Sequence, residues 1–229
     1  QMKSVYISIA VKAGSIFDTK KTSGTAHFME HILFEGTPSF PNIEALSDYV
    51  ESLAGTYNAF TDSQIIKFYI NGPINHVGDL VKITSEVFFE PLFPEKGIER
   101  ERGAIKEEIK KRLDSDWYKK SEFFRQVRFR KNHPLLLDSS GTIESINKIA
   151  KKNIVDYWSR FFYPKNTYLS IVGGFDTLKL KEGIYALRLI TRNANGYESE
   201  DRTFIRVDNL EIIKPSFTKI FRAGDNIQI

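Results

Sequence analysis

Three ionisable side chains share one turn of chain in the segment His27-Phe28-Met29-Glu30-His31, and nearly everything around them is apolar. Ala26 precedes them, Ile32, Leu33 and Phe34 follow, and Gly36 closes the run. On a helix, positions i, i+3 and i+4 share a face, which gathers His27, Glu30 and His31 and leaves Phe28, Met29, Ile32 and Leu33 on the other faces. A helix apolar over the rest of its surface is a buried one. Burying an unpartnered carboxylate is prohibitive, and neutral imidazoles also need partners. A divalent cation resolves the conflict, because two imidazole nitrogens one helical turn apart can converge on one ion at about 2.0–2.1 Å. Glu30, beside the second histidine, is then placed to take the proton of a metal-bound water. The competing reading is a pair of core histidines hydrogen-bonded to Glu30 with no metal.

The chain contains no cysteine. Disulfides, thiol catalysis and sulfur-ligated metals are therefore excluded, and any metal site must draw on His, Asp and Glu. Lys and Arg number 33 against 29 Asp and Glu, a net charge of +4, but the signs alternate closely, as in "EKGIERERGAIKEEIKKR". No single-sign field builds up, so no nucleic-acid partner is expected. No apolar run approaches the roughly 20 residues that span a bilayer. No charged-then-apolar leader opens the chain, and the cytoplasm is the expected compartment.

Periodicity divides the chain into mixed elements. "VYISIAV" (5–11) alternates as a strand, and Ser23 or Thr25 is a candidate cap for the motif helix, which should end near Gly36. Asn42 should cap "IEALSDYVESLA", stopped by Gly55. "TYNAFT" and "QIIKFYIN" read as a hairpin joined at Asp62-Ser63. "HVGDLVKITSEVFFE" is helical, Pro94 starts a long charged helix to Leu113, and another follows through Arg130. Thr142 should cap a short helix, "KKNIVDYWSRFFY" is another, and "TYLSIVGG" is a strand. The early hairpin argues for antiparallel pairing and an α+β fold, a mainly antiparallel sheet packed against helices. The tail alternates on both sides of Asn195-Gly196, a hairpin-turn signal, and "FTKIFRAGDNIQI" looks like further strand. The chain thus divides into a domain over 1–180 and a β-rich tail over 181–229.

A catalytic metal site uses three protein ligands, so one remains to be found beyond the two histidines. Glu99, Glu101, Glu107 and Glu108 crowd the long helix. Ile98, Ile105 and Ile109 mark its buried stripe, and measured from Ile105, Glu108 stands about 60° away and Glu107 about 160° away. Glu108 therefore edges the core and Glu107 faces solvent. Glu101, two turns before Glu108, shares its face. His76 and His133 read as structural or exposed histidines.

The spacing H-x-x-E-H is the inverzincin pattern. "GTAHFMEHILFEGT", "AGTYNAFTDSQIIKFYI", "EVFFEPLFPEKGIERERGAIKEEI", "NHPLLLDSSGTIESI" and "YPKNTYLSIVGGFD" together resemble the pitrilysin or insulinase family of zinc metallopeptidases, which includes the mitochondrial processing peptidases. The resemblance implies one half of such a metallohydrolase, holding one Zn2+ per chain. It implies His27, His31 and Glu108 as ligands, Glu30 as catalytic base and Glu101 as a supporting acid. It implies that the strand Asn58, Ala59, Phe60 and Thr61 binds extended peptide as an added strand. The family builds a closed chamber from two similar halves, and this chain matches one. A homodimer or a heterodimer with a second peptidase half is therefore expected. The expected activity is zinc-dependent hydrolysis of peptide bonds. The alternative is a noncatalytic peptide-binding or scaffold subunit of a two-half assembly.

Overall fold

The computed structural model describes residues 3–173, 185–192, 198–206 and 211–212. The boundary expected near residue 180, the Asn195-Gly196 turn and the stretch "FTKIFRAGDNIQI" lie outside them.

Strand β1 (Ser4–Val11) carries its apolar residues at alternate positions, and Val5, Ile7, Ile9 and Val11 are all buried. It pairs antiparallel with β3 (Ile66–Pro73) on one side and with β4 (Thr167–Gly173) on the other. Strand β2 (Thr56–Thr61) completes the early hairpin against β3, with Asn58 opposite Tyr69 and Phe60 opposite Lys67. The connection is tied by Asp62, whose Oδ1 accepts the amides of Gln64 at 2.6 Å and Ile65 at 2.8 Å. Beyond β4 the sheet continues through β5 (Tyr185–Arg192), β6 (Glu198–Arg206) and β7 (Glu211–Ile212). Strand order is β2-β3-β1-β4-β5-β6-β7, which leaves β2 at an edge of the sheet. One pairing departs from the antiparallel rule, since β5 runs parallel to β4.

The buried face of the sheet is covered by helices. Helix α1 (Thr25–Ile32) carries the histidine motif and α2 (Ile43–Ser52) follows it. Then come α3 (Val77–Phe89), α4 (Glu95–Leu113), α5 (Asp116–Arg128), α6 (Ile143–Lys148) and α7 (Lys151–Phe161). Asn42 caps α2 through its Oδ1 and the Ala45 amide at 2.8 Å, and Thr142 caps α6 in a reciprocal box with Ser145. The α2 helix ends at Ser52 with Leu53 as its C-cap, and Ala54, before Gly55, takes the left-handed conformation.

The start of α1 corrects the expected cap. Neither Ser23 nor Thr25 caps it: the N-cap is Gly24, with φ of 92°. The exposed helix amides are met from outside the helix by Asp18, whose Oδ2 accepts from Gly24 N at 2.8 Å and Oδ1 from Ala26 N at 3.3 Å. The helix ends at Ile32, earlier than Gly36. Phe28, Met29 and Ile32 are fully buried, so packing fixes the rotation of α1 and with it the direction of the polar face. Among the described residues no helix is long and apolar enough to cross a membrane.

Candidate metal centre

The polar face of α1 points at α4. His27 Nε2 lies 3.7 Å from Glu108 Oε2, and His31 Nε2 lies 3.8 Å from the same oxygen. One donor atom from each of these three residues falls within 4.8 Å of the other two. Ile98, Ile105 and Ile109 are buried, as the periodicity of α4 requires, and their stripe orients the helix. Glu108 is more open than its place beside that stripe suggests, since its side chain is 51% exposed while its carboxylate still turns to the histidines. Glu107 points away and pairs with Lys110 at 2.6 Å.

Glu101 sits two turns earlier and meets the far side of the second imidazole. Its Oε2 is 2.8 Å from His31 Nδ1. An ionised carboxylate can only accept, so Nδ1 donates to it, and in the neutral ring the lone pair falls on Nε2, toward His27 and Glu108. The His27 and His31 rings stand 4.7 Å apart and nearly perpendicular. His27 Nδ1, by contrast, is buried with no hydrogen-bond partner.

Burial, reinforced by the charges of His31 and Arg112, pushes the His27 imidazole down to about 3, so it is neutral across the physiological range. Burial also lowers His31, but the hydrogen bond it donates to Glu101 and the charges of Glu108 and Glu30 outweigh it and raise the imidazole above its ordinary value. Burial raises the Glu30 carboxyl, a rise opposed by the neighbouring Thr61 hydroxyl. Neither Glu30 Oε2 nor Thr61 Oγ1 completes a hydrogen bond, although both atoms are buried. Burial pushes Glu101 up, but the hydrogen bond from His31 and that ring's charge, a hydrogen bond from Glu35 and the charge of Arg100 bring it below the usual carboxylate range.

This donor set fits a small divalent cation. It offers two imidazole nitrogens and a carboxylate oxygen, with an orphaned buried acceptor, Glu30 Oε2, beside them. Three such donors would leave a coordination position open on a tetrahedral ion.

Of the strand named for substrate, Asn58 and Phe60 are exposed on the outer side of β2, while Ala59 is buried and Thr61 half-buried on the side facing Glu30. Asn58 Oδ1 accepts the Ala59 amide at 2.8 Å, a local reason for Asn in a strand. His76 pairs with Asp79 at 3.7 Å, and His133 stacks on Phe129, both away from the centre. Sequence reasoning missed Asp18, whose distance along the chain from α1 hides its capping role.

A family model described as Insulinase (Peptidase family M16) matches residues 1–135, more than half of the chain. The chain is 26% identical over 185 residues to the mitochondrial-processing peptidase subunit beta of Dictyostelium discoideum, covering 78% of this chain and 38% of that one. It is 28% identical over 179 residues to a probable zinc protease, PqqL, of Haemophilus influenzae, covering 76% of this chain and 19% of the relative. Its fold resembles the crystal structure of pitrilysin with a TM-score of 0.67 at 23% identity, over 77% of this chain and 19% of pitrilysin. The chain therefore spans well under half the length of these relatives.

Proposed function

The chain belongs to the insulinase family, peptidase family M16, and we propose that it hydrolyses peptide bonds in extended peptides or unfolded segments, holding one zinc ion through His27, His31 and Glu108. The observation that carries this reading is the convergence of those three donors from α1 and α4 within 4.8 Å, with the Glu30 Oε2 atom buried nearby. A relative named as a zinc protease supports the choice of metal.

When bound, zinc supplies Lewis acidity toward a carbonyl oxygen and lowers the pKa of a water at its open position. The residues of the chain supply the rest. Glu101 holds one proton of His31 on Nδ1 and orients the ring, so that Nε2, once it has given up any proton of its own, would be the ligand atom. His27 is neutral and needs to lose no proton to serve as a ligand. Glu30, its proton affinity raised by burial, takes the proton of the attacking water and returns it to the leaving amine nitrogen. The edge position of β2 leaves it open to pair with an extended peptide, and Thr61 at its end adjoins Glu30. Association with a second, similar half would close the site, in keeping with a relative named as a subunit.

The test measures zinc stoichiometry and cleavage of an unstructured peptide by wild type and Glu30→Gln. One zinc per chain should be present in both, with cleavage reduced by about 10²–10⁴-fold in the variant. If wild type alone is inactive, cleavage restored by a candidate second half supports the assembly. Retained cleavage in Glu30→Gln, or wild type without zinc, overturns the reading.

A further inference from the structure

Glu35 has no part in the chemistry above, yet it is only 3% exposed. A buried carboxylate demands compensation. Both of its oxygens accept from Arg100 Nη2, at 2.7 and 2.8 Å. The same guanidinium places Nε 3.5 Å from Glu101 Oε1, while the other oxygen of Glu101 takes the His31 Nδ1 proton at 2.8 Å. A continuous polar chain thus runs from Glu35 through Arg100 and Glu101 to His31.

A second observation shows that the packing makes room for this chain. Gly97 lies within α4, where glycine costs up to about 1 kcal/mol relative to alanine. A methyl group at that position would overlap Glu35 Oε2 and lie 3.0 Å from Glu35 Cβ. The helix gives up a side chain where the buried carboxylate rests. Arg100 has an alternative partner in the exposed Glu44, at 3.2 Å from Nη1, so without Glu35 its guanidinium would be free to swing outward.

We propose that Glu35 and Arg100 are positioning residues for the metal centre: Glu35 fixes the Arg100 guanidinium, which holds Glu101 in the orientation that fixes the His31 ring. Gly97 provides the space this arrangement occupies. The inference rests on the zinc reading of His27, His31 and Glu108 and goes beyond it by assigning residues that touch neither metal nor substrate.

The experiment measures zinc affinity by competition with a chromogenic chelator for wild type, Arg100→Ala, Arg100→Lys, Gly97→Ala and Glu101→Ala, with Arg100→Ala also made in the Glu101→Ala background. Thermal unfolding of each metal-free protein is recorded in parallel. Arg100→Ala and Gly97→Ala should each weaken zinc about 10–100-fold, and Arg100→Lys should recover only part of the loss, because an ammonium cannot reproduce the guanidinium fork. In the Glu101→Ala background, Arg100→Ala should have no further effect on zinc affinity. A purely structural role predicts instead that the loss follows metal-free stability and persists in that background. Unchanged zinc affinity in Arg100→Ala, or an equal loss with and without Glu101, overturns the proposal while leaving the zinc reading intact. Wild type that binds no zinc sinks both.

Discussion

His31 on α1 and Glu101 on α4 meet through a 2.8 Å contact across 70 residues of sequence, and the same two helices bring His31 Nε2 to 3.8 Å from Glu108 Oε2. One imidazole is therefore held at Nδ1 by a carboxylate of α4 and faces a second carboxylate of the same helix at Nε2. The relative placement of α1 and α4 sets the site, and the buried stripe of α4 sets that placement.

Ile105 is fully buried on α4, four residues after Glu101 and three before Glu108. Ile105→Ala should cost about 2–5 kcal/mol of stability and also weaken zinc binding. Leu80 is equally buried on α3, which packs on β1 and β3. Leu80→Ala should cost a similar amount but leave zinc affinity near that of wild type. Urea denaturation and chelator competition on both variants check this. Equal effects on zinc would show that the site responds to global stability and not to the seating of α4.

Asp18 provides a pH signature in the fold itself. Burial pushes its carboxyl up to about 7 from an ordinary value of 3.8, against the opposing donations of the Gly24, Ala26 and Thr25 amides. A raised folded-state value means the folded chain binds the proton more tightly than the unfolded one. Its contribution is complete below about pH 4 and is lost as pH rises through about 7. Asp18→Asn removes the titration. The stability difference between wild type and variant should shift against wild type between pH 4 and 8, by on the order of a few kcal/mol. Comparing the two proteins cancels other titrations, notably that of His27, whose depressed value acts in the opposite direction. Urea midpoints across that range, taken in chelator, give the measurement, and a constant difference would refute the assignment.

Recognition through the edge of β2 would depend on the peptide backbone of the substrate. Methylating single amide nitrogens of a cleaved peptide should lower kcat/KM about tenfold at alternate positions, where a hydrogen bond to the strand is lost. The intervening positions should tolerate the change. A scan without alternation would count against strand addition.

Gly24 should not tolerate a side chain. Its φ is 92°, and an added Cβ would lie 2.7 Å from both Ile146 Cδ1 and Ser140 O. Gly24→Ala should destabilise the protein by at least about 1–3 kcal/mol. Gly103 lies in α4 with nothing within 4 Å of an added Cβ. Gly103→Ala should stabilise by about 0.5–1 kcal/mol. Chemical denaturation of both variants tests the contrast.

The amino-acid sequence alone determined what depends on local periodicity and local hydrogen bonds. Helical spacing put His27, Glu30 and His31 on one face, and the isoleucine stripe separated Glu108 from Glu107, because both arguments need only 3.6 residues per turn. Asn42 and Thr142 were legible as caps because their amide partners lie three residues away. Ser23 and Thr25 were misleading for the opposite reason: the amides at the start of α1 are met by Asp18, which reaches forward from an earlier loop. The opening of Glu108 to solvent, the parallel seating of β5 on β4, and the path from Glu35 through Arg100 to Glu101 were likewise decided only by tertiary structure. Each depends on how separate elements pack. Packing is set by the shape of the whole core, which no window of neighbouring residues contains.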